Sequence, residues 1–361
     1  MEKIILWGTG KIANKLFPGI DDEVILVIDN DKKKWGTVWN EHVVERPSTL
    51  EKFCGKYDRI VIASVYWKDI KKQIIEEFGI EPSFIDNMYY RQKRALLDTY
   101  KYKADRDKER YILFLEQNPL QVFNDDFIQK YENLHVEVNF DQENSLYYVY
   151  HNGRKMYFSS EFSNEEVVKG YYSFLRMEQD VNSPHRYQTD CFHVNQNDVV
   201  LDAGVAEGNF ALDIIDLVDK LYLVECDERW VKALKCTFAP YKDKVEIIQG
   251  MLGDGNKGSK TIDEIIGTGK VDFIKLDIEG AEGEALSGSE QTLKQNNVKL
   301  DICVYHNDDD EKKVKQFLGE MGYETKVSDG YMVFISEQFL EAEVTTPQFV
   351  RGLVRGKKKE D

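Results

Sequence analysis

Two acidic strand ends and a glycine turn between them are where this chain offers chemistry. In Val200-Leu201-Asp202-Ala203-Gly204-Val205-Ala206-Glu207-Gly208-Asn209-Phe210 an apolar run ends in a carboxylate, two glycines follow four positions apart, and a helical pattern begins. A second apolar run ends in Glu225, twenty-three positions after Asp202. A G-x-G-x-x-G turn lays a pyrophosphate on a helix N-terminus. Here the pattern is D-x-G-x-x-x-G, and Glu207 at the helix start would repel a pyrophosphate. S-adenosylmethionine carries a sulfonium and an ammonium and no phosphate, so Asp202 and Glu207 suit it on charge grounds. Gly204 and Gly208 let the backbone approach it, and Glu225 is placed to accept from both ribose hydroxyls. The plainer alternative is a tight strand-to-helix turn without a ligand.

A third acidic strand end supplies the reaction site. Val271-Asp272-Phe273-Ile274-Lys275-Leu276 runs into Asp277, with Glu279 and Glu282 close behind, and the next apolar run ends at Tyr305-His306. Methyl transfer is an in-line displacement. It needs an aligned acceptor and, where that acceptor is a hydroxyl, a group to take its proton. His306 is the candidate base because its pKa lies near neutrality. Asp277 could orient it or act as base itself, with Glu279 beside them. Acids that open a helix also stabilise it by about 0.3–1 kcal/mol each, which is enough to account for Glu282 but not for Asp277 in the strand. Asp277, Glu279 and His306 could also meet at one divalent ion, although no spacing demands it. Upstream, Ser183-Pro184-His185-Arg186-Tyr187 is either a linker or a segment that brings His185 and Arg186 over the cleft to hold substrate, Arg186 by a bidentate contact to an anion.

From about residue 184 to 335 the chain resembles the FkbM family of S-adenosylmethionine-dependent methyltransferases. The resemblance is carried by Asp202-x-Gly204-x-x-x-Gly208, Glu225, Ile274-Lys275-Leu276-Asp277-Ile278-Glu279-Gly280-Ala281-Glu282 and Tyr305-His306. It implies O-methylation of a sugar hydroxyl in surface polysaccharide or glycoconjugate synthesis. It also implies Tyr305 as a substrate contact and Met251, in Gly250–Asp254, on the adenine side of the cofactor. Ala206-Glu207 departs from the smaller or neutral residues of many members.

The N-terminus has a glycine turn of its own. Gly8-Thr9-Gly10-Lys11-Ile12-Ala13 follows an apolar run, and Asp29 ends the next one. The G-x-G-x-x-A pattern points to a nucleotide phosphate at the turn and a ribose on Asp29. The alternative is a Rossmann-like unit that only packs. The segment resembles the nucleotide-sugar- or dinucleotide-binding domain at the front of several sugar-modifying enzymes, which implies a nucleotide or nucleotide-sugar held through Gly8, Gly10 and Asp29. Two other functions stay open: a nicotinamide-dependent oxidoreductase working through this motif, and a non-catalytic nucleotide-sugar-binding protein.

The elements that must position these residues follow an α/β plan. Residues 1–87 read as one Rossmann-like domain, with strands at Lys3–Trp7, Val24–Ile28, Arg59–Ala63 and Ser83–Ile85. Residues 88–183 read as a helical and β-hairpin connector that could wall the substrate cleft. Asn152-Gly153 sets its type I′ turn, and a capping box at Ser163 opens its helix. Residues 184–340 read as the methyltransferase-type domain, a mostly parallel seven-stranded sheet ending in an antiparallel hairpin of Glu324–Val327 and Tyr331–Ile335. Residues 341–361 read as a basic flexible tail, with Arg351, Arg355, Lys357, Lys358 and Lys359 open to a weak contact with an anionic membrane. A formal charge of −17 over 361 residues argues against a nucleic-acid partner. The opening apolar run is too short for a secretory signal, no run reaches the length of a membrane span, and the five scattered cysteines form no metal or disulfide spacing. A cytoplasmic enzyme with reduced, buried thiols and a small-molecule or glycan substrate is expected. Oligomeric state is not legible.

Overall fold

The computed structural model describes residues 1–101, 106–335, 340 and 347–359. The chain divides into two compact units, 1–126 with 333–349 and 127–332 with 350–361.

In the first unit, short apolar runs become strands buried on both faces: Ile4, Ile5, Leu6 and Trp7 are all fully buried. The strands are β1 (Lys3–Trp7), β2 (Glu23–Ile28), β3 (Val38–Trp39), β4 (His42–Glu45), β5 (Arg59–Ile62) and β6 (Ile85–Asn87). They lie in the order β3-β4-β2-β1-β5-β6, parallel except for the β3–β4 pair. The helices Tyr90–Tyr100 and Glu109–Gln117 belong to this unit and bury Tyr90, Leu96, Tyr111 and Leu115. Residues 88–183 are therefore not one connector. Their first part completes the first unit, and the rest joins the second.

The second unit opens with the antiparallel meander β7 (Val138–Asp141), β8 (Leu146–His151) and β9 (Arg154–Tyr157). Asn152 and Gly153 turn its hairpin with φ of 48° and 80°, the signs a type I′ turn requires. Helix Glu165–Glu178 is capped by Asn164, one residue later than expected, whose side chain accepts from the Val167 amide at 3.0 Å. The main sheet contains β10 (Val199–Ala203), β11 (Lys220–Glu225), β12 (Val245–Gln249), β13 (Phe273–Leu276), β14 (Lys299–Cys303) and β15 (Tyr323–Val327). The two-residue strands β16 (Met332–Val333) and β17 (Phe349–Val350) mark where the chain leaves and re-enters this unit. β18 (Leu353–Lys358) completes a seven-stranded sheet in the order β12-β11-β10-β13-β14-β18-β15. β12 through β14 are mutually parallel, and β18 runs antiparallel to both of its neighbours. Core side chains fill both faces, among them Leu201, Phe210, Leu223, Ile274 and Ile302.

The seven strands and the antiparallel end are present, but not as a hairpin of consecutive strands. β15 pairs with β18, and the Tyr331–Ile335 stretch is replaced by the two-residue β16 outside the sheet. The described part of the basic tail is thus an inner strand. Leu353 and Val354 are fully buried, Arg355 lies 3.3 Å from the buried Asp301, and Lys358 Nζ donates to the carbonyls of Leu293 and Asn296. Its charge density hid a strand in which Arg355 and Lys358 have internal partners. Residues 341–346, 360 and 361 of that expected tail lie outside the described residues. The cysteines are free thiols, but Cys54, Cys191 and Cys226 are exposed and only Cys303 is buried, because the flanking apolar runs end before the first three. Among the described residues no helix is long and apolar enough to cross a membrane.

Candidate active site

In the second sheet the strand order reverses between β10 and β13, and ligands bind open α/β sheets at such a point. A cavity of about 570 Å³ opens there, walled by the loops after β10, β11, β12 and β13, within the range of small-molecule sites. Gly204, Glu207, Glu225, Met251, Asp277, Glu279 and Tyr305 all reach its wall. Five separate stretches of sequence thus converge on one pocket.

Asp202 does not reach that wall. It is 1% exposed, and Lys275, opposite it in the β10–β13 register, donates to its Oδ1 at 3.0 Å. Lys275 Nζ also donates to the Gly204 carbonyl at 3.0 Å. Burial alone would lower the Lys275 pKa, but Asp202 and Asp277 raise it above the ordinary lysine value. The pair ties the glycine turn to the neighbouring strand, and this replaces the direct ligand contact expected of Asp202. Gly204 is required by close approach: with φ of 70°, an added Cβ would lie 1.6 Å from the Asp277 carbonyl oxygen. Gly208 lies beneath Phe238, where a Cβ would come within 2.8 Å of the ring. It packs the turn and does not line the cavity.

The Glu225 carboxylate receives the Ala206 amide at 3.0 Å and the Asp227 amide at 2.9 Å, one on each oxygen. Each oxygen keeps acceptor capacity toward the cavity. Glu207 accepts from the Tyr171 hydroxyl at 2.9 Å, and burial raises its pKa to about 7. Met251 is 66% exposed at the rim.

Asp277 is the hub of the far wall. The Tyr187 hydroxyl donates to its Oδ2 at 2.8 Å and the Tyr305 hydroxyl to its Oδ1 at 3.0 Å. Burial would raise Asp277, but His185, Lys275, His306 and the Tyr187 hydroxyl hold it down to about 2. It is therefore a fixed anion and a poor base. Since Tyr305 donates to Asp277, its oxygen accepts from His185 Nε2 at 3.0 Å. His185 is 1% exposed, and burial depresses its pKa to about 4, so it is a neutral residue that orients Tyr305. It does not reach over the cleft. Arg186 also stays off the cavity wall, and its carbonyl accepts from Arg355.

His306 stands directly behind the wall. Its Nδ1 lies 3.1 Å from Glu282 Oε1, and its Nε2 faces Asp277 at 3.7 Å and Glu279 at 3.6 Å. Burial would lower its pKa, but Glu282, then Asp277 and Glu279, raise it. Glu282 is fully buried and also accepts from the Ile278 amide at 2.9 Å, so it is more than a helix-opening acid. Glu279 is 87% exposed at its side chain. Among the described residues two sets have ligand atoms within 4.8 Å of one another, His185 with Asp277 and Cys303, and Asp277 with Glu282 and His306; neither is the expected set with Glu279. Sequence reasoning passed over Lys275, Tyr171, Tyr187 and Glu178. Of these only Lys275 carried a signal, an ionisable residue inside an otherwise apolar strand.

In the first unit the strand order reverses between β1 and β5, and a cavity of about 660 Å³ there includes Gly8, Gly10 and Asp29. Asp29 is already engaged. Its Oδ2 accepts from the Thr9 amide and hydroxyl and from Lys34 Nζ, and its Oδ1 from the Asp31 amide. It holds the glycine turn shut, as Lys275 and Asp202 do in the second unit.

Residues 1–85 match the model of the C2185-like N-terminal domain, and residues 256–325 match the methyltransferase FkbM domain. No curated protein matches the chain. Among solved structures, methyltransferase FkbM from Methylobacillus flagellatus KT is 13% identical with a TM-score of 0.49, over 98% of this chain and 89% of that one. Precorrin-6y C5,15-methyltransferase from Geobacter metallireducens GS-15 is 13% identical with a TM-score of 0.33, over 46% of this chain and 84% of that one. SMU.1697c from Streptococcus mutans, solved in complex with SAH, is 18% identical with a TM-score of 0.30, over 46% and 91%. Asp277, Glu279, Glu282 and His306 all fall inside the matched 256–325 segment, and the chain therefore carries an FkbM methyltransferase domain.

Proposed function

We propose that the second unit is an S-adenosylmethionine-dependent O-methyltransferase acting on a hydroxyl of a sugar or glycoconjugate. The observation that carries this reading is one cavity with Glu225 on one wall and Asp277 on another, with His306 and Glu282 packed directly behind Asp277. The fit to the cofactor rests on charge and shape. Glu207, Glu225, Asp277 and Glu279 make an acidic wall, which suits a cationic ligand and disfavours a pyrophosphate. When bound, the cofactor supplies an electrophilic methyl group.

The chain's own residues do the rest. Glu225 accepts from ribose hydroxyls, and Gly204 keeps the turn thin enough to leave room. Tyr187 and Tyr305 lock the Asp277 carboxylate. Glu282 Oε1, 3.1 Å from His306 Nδ1, favours the proton on that nitrogen, so Nε2, beside Asp277 and Glu279, is the nitrogen that takes the acceptor's proton. The tyrosines of the wall give apolar faces with polar tips, which suits a sugar ring.

Titration calorimetry with S-adenosylmethionine and S-adenosylhomocysteine, followed by labelled-methyl transfer to a panel of glycans and nucleotide sugars, tests this. Binding of both sulfur ligands and label on a hydroxyl are expected. His306→Ala is expected to keep cofactor affinity and lower turnover by about 10²–10⁴-fold. Absence of binding by either ligand would refute the reading.

A further inference from the structure

One carboxylate in the cavity wall has no role in this scheme. Glu178 ends the helix Glu165–Glu178, whose Val168, Tyr172 and Leu175 pack into the core of the second unit. A rigid element therefore aims it, not a loop. Glu279 is exposed to solvent, and the remaining acids of the site have internal partners. Glu207 has the Tyr171 hydroxyl, Asp277 has two tyrosines, Glu225 has two backbone amides, and Asp202 behind the wall has Lys275. Among the described residues no hydrogen-bond donor reaches Glu178. Its electrostatic neighbours are Asp277 and Glu207, which repel it, and Lys275, which is already committed to Asp202.

A half-buried carboxylate beside two others is unfavourable as an anion, and its partial desolvation with those two acids raises Glu178 well above the ordinary carboxyl range. A ligand cation would remove that penalty. Asp202, the acid that sequence alone offered to a cationic ligand, is 1% exposed and neutralised from within.

We propose that Glu178 is the counter-ion for the ammonium at the amino-acid end of the cofactor. This rests on the S-adenosylmethionine reading above. It assigns the cofactor's charge recognition to the helix that precedes the sheet and leaves Asp202 to hold the glycine turn together with Lys275. Coupling of Glu178 to Asp277 and Glu207 places that recognition on the reaction side of the cavity.

The test titrates wild type, Glu178→Gln and Glu178→Asp with two ligands. S-adenosylhomocysteine carries the ammonium, and 5′-methylthioadenosine lacks the whole amino-acid end. Glu178→Gln is expected to bind S-adenosylhomocysteine about 10–100-fold more weakly, the worth of a hydrogen bond to a charged group, and 5′-methylthioadenosine within about twofold of wild type. Retained nucleoside binding also shows that the variant is folded. Glu178→Asp keeps the charge and should lose less, and it serves the same comparison where the glutamine variant does not fold. Unchanged affinity for S-adenosylhomocysteine, or an equal loss for both ligands, overturns the proposal. Wild type that binds neither ligand overturns the cofactor reading itself, a separate outcome.

Discussion

Lys275→Met should be among the most damaging single changes in the second unit. The Lys275 and Asp202 side chains are 4% and 1% exposed and lie 3.0 Å apart. Removing one partner of a buried pair leaves a buried charge and costs about 3–5 kcal/mol. For domains of about 150–250 residues each kcal/mol moves the midpoint by about 2–4 °C, so the melting temperature should fall by roughly 6–20 °C. The loss should depend on pH. Burial already raises Asp202 against the pull of Lys275, and without the lysine it rises further. A carboxyl raised in the folded state binds protons there that the unfolded chain releases, so both proteins lose stability above 3.8, the unfolded value, and the variant's deficit should grow once pH passes the lower Asp202 value of wild type. Lysine's own raised pKa matters only above 10.5, outside the assay range. Thermal melts at pH 5.5 and 8 of the variant and of wild type would measure this. A shift below about 3 °C, or a deficit that shrinks with rising pH, would refute the assignment of this pair as the anchor of the glycine turn.

Wild-type turnover should rise with pH through a midpoint above the ordinary histidine value of 6.5, because Glu282 and its neighbours raise His306. In Glu282→Gln that midpoint should fall, and turnover should drop about 10–100-fold as the ring loses its anchor; an unchanged profile would remove Glu282 from the mechanism. Glu225→Ala should weaken S-adenosylhomocysteine binding by about 10–100-fold in calorimetry, since the ribose acceptor and the anchor of the Ala206 and Asp227 amides go together. Arg355→Met should destabilise the second unit by about 3–5 kcal/mol in denaturant titration, because it strands the fully buried Asp301. No loss there would mean that 353–358 behaves as a free tail after all.

Much of the candidate site is legible in the amino-acid sequence. Asp277, Glu279 and Glu225 are recognisable because apolar strands end in carboxylates, and a strand end is where an open sheet meets its ligand. The β10, β11, β13 and β14 strands are readable for a related reason: being buried on both faces, they show as largely apolar runs. The C-terminal strand is not. Leu353–Lys358 reads as a charged end because Arg355 finds its partner Asp301 and Lys358 its carbonyls only in three dimensions. The Tyr331–Ile335 run is apolar and strand-like, yet the position beside β14 is already taken by β18.

The sequence by itself determined which acids, glycines and histidine are present and that they cluster at strand ends, because strand burial and turn chemistry are local and leave a periodic trace. Only the tertiary structure decided what each carboxylate faces. Asp202 and Glu225 look equivalent along the chain, but the β10–β13 register sets Lys275 against the first and leaves the second open to the cavity. Glu178 looks like any acid at the end of a helix, yet packing turns it into the pocket. Charge pairing across strands depends on through-space contacts between residues far apart in the chain, and no local pattern encodes that.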